Sequence, residues 1–391
     1  MGISLGLVGL GAFGSAFAEL FKSHPLVDRV ALCDREAARV AHFANSPAFR
    51  DKFSPKDAYT SLDDICRSDV DALVIITQHW LHAPQCVQAM EHGKHVYSAV
   101  PVISIPDGDE TLAWCDRIIE TTRRTGQHYM LGETTYYHAG AMYCRRKAAE
   151  GAFGHFVYSE GEYYHSFDSP CCDLREVIAH RLASAAGQEW AALLAEYRRR
   201  GAQDGPMHYP THSTSGPLSV MRAHPVKVCG WGTPVWTDDA YFHDGLFPFS
   251  NETALYQLSN GATMRICEHR HCGLIRETFR VYGTEAAFEN DTWIAKEQPT
   301  ALTAAEMRDP LPPEVYAAFA AIDGNAGVYD GHGGSHAYLV HEFVDAIAHG
   351  RRPAINAWDA ARYTAAGVMA HKSALKDGEV LAVPDWGDAP A

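Results

Sequence analysis

The sequence predicts an α/β protein in two parts, a doubly wound parallel sheet at the N-terminus and a larger α+β part behind it. Three observations carry this expectation. Short apolar runs alternate with helix-length runs through residues 1–135, the pattern of parallel strands with helical crossovers. A glycine-rich turn joins the first apolar run to the first helix. Beyond residue 150 strand-length runs follow one another, and the chain closes on two helical stretches. A length of 391 residues agrees with two domains, divided as 1–135 and 136–391.

The first element is an apolar strand over residues 4–8. Gly9-Leu10-Gly11-Ala12-Phe13-Gly14 follows it directly, and a helix runs over 15–21. This glycine spacing between strand and helix is the phosphate-binding turn of a Rossmann fold. Gly9 permits the tight turn, Gly11 admits a pyrophosphate against the backbone, and Gly14 lets helix and strand pack closely. Ala12 and Phe13 stand at the helix start, whose free N–H groups favour phosphate. A second strand over 29–33 ends at Asp34. A carboxylate there accepts from ribose hydroxyls and repels a 2′-phosphate, which favours NAD; the adjacent Arg35 suits NADP and keeps that alternative open. Strands over 70–77, 95–97 and 129–131 alternate with helices over 83–92 and 108–126. Ligands of such sheets lie off the carboxyl ends of the strands. That places Thr77, Gln78, His79, His82, Ser98 and Glu133 at the cofactor, and Tyr136 beyond them at the substrate.

A helix over 139–150 leads into the second part, where strands are expected over 156–165, 227–230, 253–258, 263–268, 278–282 and 286–289. Residues 166–205 read as an insertion with a helix over 188–200, forming a rim. The turn Tyr209-Pro210-Thr211-His212 opens the next helix, and helices over 336–349 and 358–375 end the fold.

Composition narrows the function classes. With 47% hydrophobic and 21% charged residues the chain is an ordinary soluble globular protein, and a formal charge of −15 argues against a nucleic-acid partner. No apolar run has the length of a membrane span, and the first residues lack the features of a signal peptide. The ten cysteines show no zinc spacing and read as reduced thiols, so a cytoplasmic protein without a metal is expected.

Three segments together resemble the Gfo/Idh/MocA oxidoreductase family. They are the glycine turn, Ile76-Thr77-Gln78-His79-Trp80-Leu81-His82, and Gly93-Lys94-His95-Val96-Tyr97-Ser98-Ala99-Val100-Pro101. Gly331-His332-Gly333-Gly334-Ser335-His336 and the helix after it also fit. The resemblance implies a Rossmann domain and a second domain on an open, mainly antiparallel sheet. It also implies a homodimer or homotetramer formed through that sheet. Two departures matter. Ala99-Val100-Pro101 stands where family dehydrogenases have Glu-Lys-Pro, and His208-Tyr209-Pro210-Thr211-His212 keeps only the final histidine of Asp-x-x-x-His. NAD-dependent glycosidases similar to glycoside hydrolase family 109 share these departures. They also share Tyr209-Pro210-Thr211-His212, Gly151-Ala152-Phe153-Gly154 and Gly161-Glu162-Tyr163-Tyr164-His165.

That likeness implies a redox-neutral hydrolysis of a small glycoside. NAD oxidises carbon 3, a base takes the proton from carbon 2, the aglycone leaves, water adds, and hydride returns. His212 is assigned to the oxidised hydroxyl and Tyr163 to the carbon 2 proton, with His165 and Tyr209 in support; imidazole and phenol suit such transfers. For Tyr163 and His165, plain sheet packing is the alternative. Glu133 either orients the nicotinamide ribose or closes its strand. His269, Arg270 and Arg276, with His332, are candidate substrate contacts, the arginines for an anionic sugar; a solvated sheet face is the other reading of that cluster. A sugar or cyclitol dehydrogenase is the rival enzyme, and a dinucleotide-binding sensor the rival of another class.

Overall fold

The computed structural model describes residues 2–242, 246–322 and 327–390. In chain order the elements are β1 Ile3–Val8, α1 Ala12–Ser23, β2 Val27–Cys33, α2 Ala37–Ala44, β3 Phe53–Tyr59, α3 Leu62–Cys66, β4 Ala72–Ile75 and α4 His82–Glu91. Next come β5 His95–Ala99, α5 Gly108–Thr125, β6 Tyr129–Gly132, α6 Ala139–Ala149, β7 Phe156–His165, β8 Asp168–Ser169, β9 Cys172–Asp173, α7 Leu174–Leu182 and α8 Ala185–Arg199. They continue with α9 Thr211–Met221, β10 Pro225–Pro234, β11 Phe249–Leu258, β12 Thr263–His269, β13 Ile275–Gly283, β14 Ala286–Glu289, β15 Thr292–Ala295 and β16 Gln298–Ala301. The last are α10 Ala304–Met307, α11 Pro313–Ala320, α12 His336–Ala348, α13 Ala357–Ala374 and β17 Leu381–Ala382. No helix among the described residues is long and apolar enough to cross a membrane.

The residues group into two compact units. The first joins the chain up to Ile103 with Ala113–His138 and Asp309–Ala360, which differs from a single cut at residue 135. Packing explains the return: Phe17 and Phe21 of α1 meet His336 and Phe343 of α12, with ring centroids 4.2 and 6.3 Å apart. Its sheet has the order β3-β2-β1-β4-β5-β6 with every pair parallel. β4 and β6 are buried throughout, as strands covered on both faces require. β3 was not foreseen. Its sequence, Phe-Ser-Pro-Lys-Asp-Ala-Tyr, has no apolar run, and an edge strand tolerates both the proline and the exposure.

The second unit comprises Ser104–Leu112, Ala139–Arg308 and Ala361–Ala391. Its nine-stranded sheet runs β16-β15-β14-β13-β7-β12-β11-β10-β17. β7 pairs parallel with β12; the remaining neighbours pair antiparallel. Helix α9 lies against the β7 face that includes Gly161, where a Cβ atom would stand 1.8 Å from the Ser213 carbonyl oxygen. Only glycine permits that approach. The helix is buried along almost its whole length, and Thr214 Oγ1 donates to Pro210 O at 2.9 Å.

Candidate active site

In the first unit the glycine turn has the shape of a phosphate cradle. Gly9 has φ +90°, and a Cβ there would lie 2.2 Å from Ile76 O. A Cβ on Gly14 would lie 2.0 Å from Gly9 O, so neither position accepts a side chain. Gly11 differs: the nearest atom to its Cβ position is Arg39 Nη1 at 3.7 Å, leaving the backbone open at the start of α1. Asp34 ends β2 nearly buried, its Oδ2 accepting the Leu10 N–H at 2.8 Å and its Oδ1 the Glu36 N–H at 2.9 Å. A carboxylate has about four acceptor positions, so two remain for ribose hydroxyls. The open turn, the helix start and this carboxylate fit a dinucleotide.

Several residues expected at the cofactor also make hydrogen bonds within the protein. Ser98 is fully buried and donates to Ala99 O at 2.9 Å, so its hydroxyl faces the core. The His82 ring bonds Pro101 O at 2.9 Å and Thr77 O at 3.3 Å, joining two turns. Thr77 Oγ1 donates to Gln85 Oε1 at 2.7 Å. Glu133 is buried, with Oε1 accepting the Thr135 N–H at 2.9 Å, which closes its strand into the turn Thr135–Tyr137 that holds half-buried Tyr136. Gln78 and His79 are half-buried after β4. The cation beside Asp34 is Arg39, 3.5 Å away, one helical turn beyond the exposed Arg35 considered from the sequence. His332, expected at the substrate, lies in the first unit with its ring 5.8 Å from that of Phe13 in the glycine turn.

In the second unit the four proposed catalytic side chains are brought together. Tyr163 Oη is 3.0 Å from His165 Nδ1. The His212 ring lies 4.9 Å from that of Tyr163 and 5.4 Å from that of Tyr209. His212 and Tyr209 come from the turn that opens α9, whereas Tyr163 and His165 alternate on one face of β7. Register adds two carboxylates: Tyr163 pairs with Glu277 of β13 and with Glu268 of β12. Glu277 Oε1 is 3.9 Å from His212 Nδ1. Glu268 is fully buried; its Oε1 accepts the Ser213 hydroxyl and its Oε2 the Arg270 guanidinium at 3.0 Å. Burial lifts Glu268 to about 7, against the opposing pull of Arg270 and Ser213. Arg270 in turn lies 5.1 Å from the Tyr163 ring centre. Burial pushes the Tyr163 phenol well above its usual range, with Arg270 pulling the other way. Burial, followed by Arg270, also lowers His165. The cluster therefore holds neutral phenol and imidazole in hydrogen-bond contact beside a fixed cation, an arrangement able to take and relay protons.

The basic cluster does not assemble as one pocket. Arg270 turns inward to Tyr163 and Glu268, but His269 and Arg276 pair in register with Tyr164, on the opposite face. His269 stacks on Tyr164 at 4.7 Å, and Arg276 is 3.5 Å from Glu162. Alternation along β7 separates them from His212. Glu268, Glu277 and Ser213 were missed as site members because their place depends on strand register and helix docking. The Glu268–Arg270 spacing was the only local signal.

The first unit, a parallel sheet of order 3-2-1-4-5-6 with an open glycine turn, has the form of a dinucleotide-binding α/β domain, and the second is a mixed sheet that carries a Tyr–His cluster. Residues 3–133 match the Gfo/Idh/MocA model, described as an oxidoreductase family with an NAD-binding Rossmann fold. Similar curated proteins include members named glycosyl hydrolase family 109. Glycosyl hydrolase family 109 protein 1 of Bacteroides fragilis is 34% identical over 172 residues, 42% of this chain and 35% of that protein. An alpha-N-acetylgalactosaminidase of the same species is 26% identical over 227 residues, 57% of this chain and 49% of that protein. The matches thus span between about a third and a half of those relatives' lengths. The fold is similar to scyllo-inositol dehydrogenase from Lactobacillus casei with bound NAD(H) and scyllo-inositol. That likeness has a TM-score of 0.66 at 14% identity and covers 98% of this chain and 99% of that one.

Proposed function

We propose that the protein is an NAD-dependent glycosidase that hydrolyses its substrate without net redox change. The observation that carries this reading is the Tyr163–His165 hydrogen bond of 3.0 Å beside His212 and Arg270. A simple dehydrogenase needs one proton acceptor for the hydroxyl it oxidises; this cluster holds two separate proton carriers. Bound at the open glycine turn, with its ribose on Asp34, NAD would supply a transient hydride acceptor for carbon 3 of the sugar. His212 takes the proton of that hydroxyl, oriented by Glu277. Tyr163 takes the carbon 2 proton and passes its own to His165, while Arg270 steadies the charge that develops on the phenol oxygen. Tyr209 binds alongside His212. The names of the family 109 relatives support a glycoside substrate, and Arg270 is the residue suited to an anionic one. The face of the second sheet that bears Tyr164 and His269, with exposed Leu255 and Trp231, supports a homodimer or homotetramer formed through it.

The test is turnover in D₂O with catalytic NAD⁺ and a panel of glycosides that begins with an α-N-acetylgalactosaminide. The released sugar should carry deuterium at carbon 2, and NADH should stay far below product. One NADH per substrate with an intact glycosidic bond would instead identify a dehydrogenase.

A further inference from the structure

We propose that the second unit binds a small hydroxylated oxyanion, a polyhydroxy carboxylate or a sugar phosphate, in a cleft separate from the Tyr–His cluster. The cleft lies where the start of α5, the segment after α8 and the end of α13 come together, and holds about 330 Å³, a volume suited to a small ligand. Arg200 and Lys372 line it, together with Asp107. Asp107 is already engaged: its Oδ1 accepts the Glu110 N–H at 3.0 Å and its Oδ2 the Arg200 guanidinium at 2.8 Å. Arg200 also lies 3.6 Å from Glu110 Oε2, and its five-donor fork has capacity beyond these two carboxylates; Lys372 is paired with an aspartate, Asp109, whose side chain is 83% exposed. The start of α5 adds the positive end of an 18-residue helix.

A second observation points to the ligand. His208 lines the same cleft and is only 3% exposed. Its Nδ1 is 2.9 Å from Asp204 Oδ1, and an aspartate accepts, so Nδ1 carries the proton and Nε2 presents a lone pair. Nε2 is buried with no hydrogen-bond partner among the described residues. Buried polar atoms without partners are rare and costly. Nε2 faces Gly108 at the helix start, where a Cβ would stand 3.3 Å from it, so only the glycine leaves that side of the imidazole unfilled. A ligand hydroxyl donating to Nε2 would complete the histidine, while an anionic group meets Arg200, Lys372 and the helix start. His371 behind it is a wall, with Nδ1 2.7 Å from Glu252 Oε1 and Nε2 3.1 Å from Gln203 O.

Calorimetric titration of the full chain with glucose 6-phosphate, gluconate, sulfate and glucose tests the site. One equivalent of glucose 6-phosphate or gluconate should bind, and whichever binds more tightly identifies phosphate or carboxylate as the anion. Sulfate, which has no hydroxyl, and glucose, which has no charge, should bind at least about tenfold more weakly. Arg200→Gln and Lys372→Gln, each checked for an unchanged melting transition, should weaken binding by about tenfold. The proposal is overturned if neither hydroxylated anion binds, if sulfate matches them, or if the folded variants bind as the parent does.

Discussion

His212 and Tyr163 illustrate what single side chains contribute. Their rings are 4.9 Å apart, yet they come from different elements, and His212 is buried at the start of α9. His212→Asn should leave folding and NAD binding intact and lower kcat by about 10²- to 10⁴-fold, the usual worth of one general acid–base group. Near-normal turnover in a folded variant would remove His212 from the mechanism. Both residues were legible in the sequence because each sits in a short recognisable stretch, Tyr209-Pro210-Thr211-His212 and Gly161-Glu162-Tyr163-Tyr164-His165. Glu277 was not. It lies on β13, and only the pairing of β13 with β7 brings it beside Tyr163 and His212.

Elements are positioned by close backbone contact as much as by side chains. Helix α9 can present His212 to β7 because Gly161 leaves room for the Ser213 carbonyl. Gly161→Ala would force the helix and strand apart. It should destabilise the protein by about 1–3 kcal/mol, in the range of overpacked cores, and reduce activity through misplacement of His212. Chemical denaturation and kinetics on the same sample check this, and a variant with parental stability and rate would show that α9 is not held by that contact. Strand alternation, which in the sequence already aims His269 and Arg270 to opposite sides, divides the basic cluster. Neighbours in sequence such as His269 and Arg270 part to opposite faces, whereas Tyr163 and Glu277, from different strands, share one.

Across the whole molecule, buried histidines make stability depend on pH. Burial holds His24 at about 3 and His95 and His336 at about 4, with a neighbouring histidine adding to each shift. These values lie below the ordinary 6.5, so the unfolded chain takes up protons first as pH falls. The stability these groups contribute is therefore complete above pH 6.5 and drains as pH drops toward 4. For His336, which is 7% exposed, the loss amounts to about 3 kcal/mol at most. Melting temperature should fall over this interval, and His336→Asn should fall less steeply than the parent. Parallel profiles for the two would show that His336 takes no part in the acid response.

The sequence by itself determined the alternation of strands and helices in the first unit apart from β3, the position of the glycine turn and its carboxylate, and the stretches that carry the four Tyr and His residues of the cluster. These are local properties: strand and helix periods, glycine at φ values or approaches that other residues cannot meet, and short runs on a single element. Tertiary structure alone decided which long-range partners those residues acquired. It returned α12 to α1 through aromatic packing, brought Arg39 beside Asp34, and bonded Ser98 and His82 to backbone carbonyls. It also set Glu268 and Glu277 beside Tyr163 and Arg276 beside Glu162. Such pairings depend on strand register and on the docking of distant segments, and no short stretch of sequence encodes either.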